Sequence, residues 1–158
     1  MKKLVLSFIL RDIKHYFGFL FERGYKIRDA EYVPEKLGNW GVDLESSTCN
    51  IQMYSDRTVL FLVFIPLNRD RKNGISIEAM IYFLTEGREF IGDLKGHYTS
   101  WSKKDQYERL ASLVKAYIDQ IEPYFGNEFQ TYKDDLLAAQ KKYNDRLSLE
   151  RRRQRMKK

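Results

Sequence analysis

A chain of 158 residues suffices for one domain that buries about two-thirds of its extended surface, and 43% apolar with 32% charged residues exclude a disordered chain. The net charge of +6 sits in residues 151–158, whose six cations face no acid there; the rest balances 22 basic against 22 acidic side chains, which excludes a basic body built to coat nucleic acid. Eleven Tyr, ten Phe and two Trp point to a core built on rings, with an aromatic binding surface as the sharper reading.

Residues 4–23 carry Leu4, Phe8, Ile13, Phe17, Leu20 and Phe21 at helical intervals, with Arg11, Asp12, Lys14 and Glu22 between them, which predicts one amphipathic helix. Gly24 supplies its stop. The apolar run behind Met1, Lys2 and Lys3 is too short, and too soon broken by charge, for a secretory signal. No stretch reaches the roughly 20 apolar residues of a transmembrane segment. Residues 25–32 read as a strand, as do residues 40–46, where Trp40, Val42 and Leu44 alternate with Gly41, Asp43 and Glu45, and residues 50–54 around Ile51 and Met53. Ser46, Ser47 and Thr48 supply the turn between the last two. Cys49, the only cysteine, rules out an intramolecular disulfide, fits a reducing cytoplasm and has no sequence neighbour to make it reactive.

Residues 59–67 are almost continuously apolar, the pattern of a central strand covered on both faces, and Pro66 marks its end. Asn73 and Gly74 give the following loop a turn signal, so a meander of three or four antiparallel strands should end there. Ser76 caps a helix carrying Ile77, Met80, Ile81 and Leu84, closed by Gly87. After an irregular stretch, Ser102 opens a long helix with Asp105 in its first turn and Tyr107, Leu110, Val114, Tyr117, Ile118 and Ile121 as its stripe; Pro123 and Gly126 break it. From about Asn127, the spacing of Phe129, Tyr132, Leu136, Ala139, Tyr143 and Leu147 forms a coiled-coil-like seam that packs on its own domain or on a dimer mate. Beyond Leu149 the stripe is lost. The expectation is an α+β fold with an N-terminal helix, the meander and three C-terminal helices: one domain over residues 1–149, and a basic, frayed tail over 150–158.

Gly24-Tyr25, Tyr32 with Pro34-Glu35, Leu37-Gly38-Asn39, Val42 with Leu44-Glu45-Ser46, and Asp56-Arg57 together resemble a group of small uncharacterised bacterial proteins. In that group a Gly-Phe closes the first helix, a Phe-Gly-Asn precedes a strand and an Asp-Arg-Gly makes a turn; here Tyr25, Leu37 and Thr58 stand at the varied places. The resemblance covers the middle two-thirds of the chain and implies a compact α+β fold without a stated chemistry.

Catalytic patterns are sparse. The chain holds no Gly-x-x-x-x-Gly-Lys phosphate loop and no Gly-x-Ser-x-Gly elbow, and His15 and His97 are too far apart for a His-x-x-x-His zinc site. Asp43 and Glu45 share a strand face and could meet Asp56 or Glu78 around a divalent metal, but Ser47 stands where a nuclease of the Glu-x-Lys type needs lysine. His97 with Asp93, Tyr98 and Trp101 could line a pocket. The reading that follows is a non-catalytic, cytoplasmic binding module without a cofactor. It takes a protein partner, of an immunity-like or regulatory kind, or a second copy, through Phe129, Tyr132, Leu136 and Tyr143. The alternative is nucleic-acid association through Arg151, Arg152, Arg153, Arg155, Lys157 and Lys158. A small metal-dependent enzyme comes last.

Overall fold

A computed structural model describes residues 1–92 and 100–157. Helices α1 (Lys2–Tyr16) and α2 (Gly18–Glu22) precede strands β1 (Lys26–Val33), β2 (Asn39–Glu45), β3 (Asn50–Asp56), β4 (Val59–Ile65) and β5 (Ile75–Ser76); helices α3 (Ile77–Leu84), α4 (Lys103–Ile121) and α5 (Phe129–Met156) follow. The expected first helix is therefore two. At Phe17 the backbone leaves helical geometry (φ −112°, ψ 27°), and this lets both Phe17 and Leu20 reach the core with no residual exposure. Gly24 then ends α2 at φ +93°, a conformation that a side chain disfavours.

The five strands form an antiparallel sheet in sequence order, one more than the longest meander expected, because residues 75 and 76 pair with Phe64 and Val63 after the loop. Trp40, Val42, Leu44, Leu60, Leu62 and Phe64 are all buried, as the alternation requires. Helices α1, α3 and α4 contact the sheet, and Tyr107 of α4 stacks against both Tyr16 and Trp40, which joins α1, α4 and β2 in one layer of rings. Burying about thirty apolar side chains at roughly 1.5–3 kcal/mol each for the larger ones is what opposes the entropy of ordering the chain.

Polar side chains close the sheet on its short side. Where β5 ends, Gln106 of α4 (4% exposed) accepts the Leu60 N–H at 2.8 Å through Oε1 and donates to the Thr58 carbonyl at 3.0 Å. Gln140 of α5 accepts the Ser76 N–H at 2.8 Å. The opposite edge, β1, carries Lys26, Arg28, Asp29 and Glu31 and a register irregularity between Ile27 and Asp29, features that discourage a further strand.

Two expectations change, those for β4 and for the end of α5. The outer face of β4 is covered only in part: Ile65 is buried beneath the 66–74 loop, whereas Phe61 is 39% exposed. Gly74, in the expected turn, stands at φ −70°; a Cβ there would come within 2.7 Å of Val63 Cγ1, so glycine lets the 66–74 loop lie down on the outer face of β4. Finally, α5 does not stop at Leu149 but continues through Arg151, Arg152, Arg153 and Arg155 to Met156. Arg and Lys are good helix formers, they suit the negative end of the helix dipole, and Arg153 pairs with Glu150 at 3.0 Å, so the lost apolar stripe does not fray the helix there.

Candidate functional site

The outer face of the sheet divides into two ends. At one end the 66–74 loop is clasped down: Arg71 pairs with Asp43 at 2.6 Å, Arg69 with Glu45 at 2.7 Å, and the Asn50 amide donates to the Pro66 carbonyl at 3.1 Å. Asp43 also accepts from Gln52 at 3.1 Å. The carboxylates suspected of metal binding are thus engaged by guanidinium and amide groups; Asp56 accepts from Asn39 and Glu78 pairs with Arg109. Among the described residues no group of His, Cys, Asp and Glu has the arrangement to hold a metal ion.

The other end is open. A tight two-residue turn at Arg57 and Thr58, both at positive φ (46° and 73°), sets Tyr54 directly opposite Phe61. The two rings stack with centroids 5.0 Å apart and planes 16° from parallel. On the other side of Tyr54 the cross-strand neighbour is Gly41, and beyond it Glu31, so the row across the sheet reads Glu31, Gly41, Tyr54, Phe61. Gly41 places no side chain beside the Tyr54 ring, and the Glu31 side chain reaches over that position, its Cγ 3.9 Å from where a Cβ would stand. Acids border this row: Glu31 and Asp56 are exposed. Burial, then the negative charges of Asp56 and Glu78, holds the Tyr54 hydroxyl above its ordinary pKa. The surface offers ring area bordered by the carboxylates of Glu31 and Asp56, a combination suited to a cationic side chain laid on an aromatic face.

A second polar cluster lies under the β2–β3 turn. The Tyr25 hydroxyl donates to Glu122 at 2.9 Å and lies 2.8 Å from Cys49 Sγ, so its single proton is committed and the thiol is the donor to the tyrosine oxygen. Glu122 also receives Arg23 at 2.6 Å. Burial pushes the Cys49 thiol up to about 12, and its sulfur is fully covered by protein, so the cluster holds a protonated, inaccessible thiol rather than a nucleophile. Beside it opens a cavity of about 340 Å³ lined by Ser47, Thr48, Asp119, Glu122 and Asn127, where both carboxylates are paired with Arg23.

The site residues expected from the sequence separate sharply. Phe129, Leu136 and Tyr143 are buried in the protein's own core and cannot meet a partner; packing against β5 and α3 uses that seam, and of the four only Tyr132, 36% exposed, remains at the surface. Arg152, Arg153, Arg155 and Lys157 are exposed on or just past the last turns of α5, Arg151 is half-buried there, and Lys158 lies outside the described residues. His15 is exposed on α1, while His97, Asp93 and Tyr98 lie outside the described residues. Sequence reasoning missed Tyr54 and Phe61. The signal was present: a two-residue turn at Arg57-Thr58 fixes the register, and Phe61 then falls on the face opposite Leu60, Leu62 and Phe64.

No protein-family model, no curated protein and no solved structure matches the chain. Among the described residues no helix is long and apolar enough to cross a membrane.

Proposed function

We propose that this protein is a non-catalytic binding module that receives a protein partner on the open end of its sheet, in a neutralising or regulatory role. The observation that carries the reading is half-buried Tyr54 stacked on exposed Phe61, beside Gly41, at the end of the outer sheet face that the 66–74 loop leaves open. Aromatic residues are the usual anchors of interfaces, and a rigid strand pair holds these two at little entropic cost. Glu31 and Asp56 select the partner's chemistry: a segment with Arg or Lys side chains gains both stacking and charge, whereas a phosphate backbone meets like charge there. A reducing cytoplasm suits the single, buried thiol of Cys49.

The test is capture from an extract of the native host, treated with nuclease, comparing the wild-type chain with Phe61→Ala, Tyr54→Ala and Glu31→Lys. A protein retained by the wild type and lost from all three, with unchanged melting temperatures, supports the reading. Equal retention by the variants removes the sheet face as the site.

A second reading, phosphate binding by α5, draws support from the helical order of residues 151–156, which holds guanidinium groups on a fixed rod. Binding of duplex DNA that weakens steeply with salt, and that vanishes on truncation after Leu149, would establish it.

A further inference from the structure

The outer stripe of α1 is unpaired within the protein. Its inner face buries Ile9 and Ile13, yet Met1, Leu4 and Phe8, one helical turn apart on the opposite side, remain 102%, 59% and 46% exposed. Nothing in the core demands them there. The charged residues around the stripe are Lys3, Arg11 and Lys14, all exposed, with His15 on the same side; Arg11 lies over the Phe8 ring at 5.0 Å. Asp12, the acid on this flank, is engaged by Arg11 at 3.4 Å, and Lys2, further round, pairs with Glu35.

We propose that this face of α1 rests on an anionic lipid surface, with Leu4 and Phe8 entering the headgroup boundary and Lys3, Arg11 and Lys14 meeting acidic lipid heads. Charge selects this occupant over the others. A second copy docking stripe to stripe would set like charges together, since a two-fold interface brings the same patch against itself. Nucleic acid would use the cations but leave the leucine and phenylalanine in water. An anionic bilayer surface satisfies both: apolar area enters the interface, and each nearby Lys or Arg adds electrostatic attraction. The helix lies along the surface and does not span it.

The experiment is flotation of the full-length protein with vesicles of phosphatidylcholine, alone and mixed with phosphatidylserine, at low and high salt. Binding should require phosphatidylserine and fall with salt. Leu4→Asp and Phe8→Asp should each weaken it about tenfold or more, the loss expected from withdrawing one large apolar side chain from the interface. Lys14→Ala should weaken it about fivefold. Melting temperature and sedimentation coefficient should match the wild type for each, and Phe8→Ser with Lys3→Ala serves where an aspartate disturbs folding. Failure of the wild type to float with phosphatidylserine vesicles at low salt overturns the proposal. So does unchanged flotation of Leu4→Asp and Phe8→Asp, or flotation lost only on truncation after Leu149, which would assign lipid contact to α5. A change of oligomeric state in Leu4→Asp with flotation intact also overturns it, in favour of a second copy.

Discussion

Gln106 closes the edge of β4 with an amide where a strand would otherwise be needed, and its removal isolates that role. In Gln106→Ala the Leu60 N–H loses its partner; Leu60 is 6% exposed, so water does not replace the lost acceptor without a displacement of α4. An orphaned buried donor costs about 1–3 kcal/mol. The carbonyl of Thr58 lies on an exposed residue and can be hydrated, so its lost bond adds little, while the deleted methylene and amide packing adds about 1 kcal/mol. The expected loss is about 2–4 kcal/mol, a large share of the roughly 5–15 kcal/mol that holds a domain folded. Urea titration followed by tryptophan fluorescence reads it, since Trp40 is buried on the neighbouring layer. Gln106→Met keeps the volume without the hydrogen bonds and should lose nearly as much. A loss under about 1 kcal/mol in the alanine variant, or wild-type stability in the methionine variant, would refute the edge-closing argument and leave only packing.

The buried thiol gives a chemical prediction: Cys49 should resist a disulfide reagent at neutral pH in the native protein and react promptly once denatured, and fast native labelling would contradict its burial. Its folded pKa of about 12, raised from 9.0 by burial, adds stability that is complete below pH 9 and is lost as pH rises toward 12; Cys49→Val should flatten that part of the profile. Thr58 holds φ +73°, strained for a β-branched residue, so Thr58→Gly should stabilise by up to about 1 kcal/mol in the same titration. Truncation after Leu149 should change stability by less than about 0.5 kcal/mol, because Arg152, Arg153 and Arg155 are exposed and the last buried side chain of α5 is Tyr143.

Much of the frame is legible where local chemistry and tertiary packing agree. Ser76 and Ser102 accept the N–H groups of Ala79 and Asp105 at 3.2 and 3.1 Å, as capping residues should, and the alternation in β2 places Trp40, Val42 and Leu44 inward. The sequence misleads where one pattern serves two physical ends. An unbroken apolar run such as residues 59–65 fits a strand covered on both faces, yet here Val63 and Ile65 lie under a loop while Phe61 faces outward. A seam with heptad-like spacing fits a partner helix equally well as the protein's own α3 and β5, and packing decides between them. The break at Phe17 has only a weak local signal, the glycine at position 18, and it comes with a tertiary contact that the periodicity does not encode, the Phe17 ring beside Tyr107.

The alternation of inward and outward residues where β2, β3 and β4 pair through Gly41, Tyr54 and Phe61 writes two texts on one stretch of chain. Inward letters such as Val42, Met53 and Leu62 are held by the core, while outward letters such as Gly41, Tyr54 and Phe61 touch only one another and what lies beyond the sheet. Drift or engineering can therefore rewrite the outward letters with little effect on the fold, so that related chains of one architecture could address different targets by exchanging a few alternate residues.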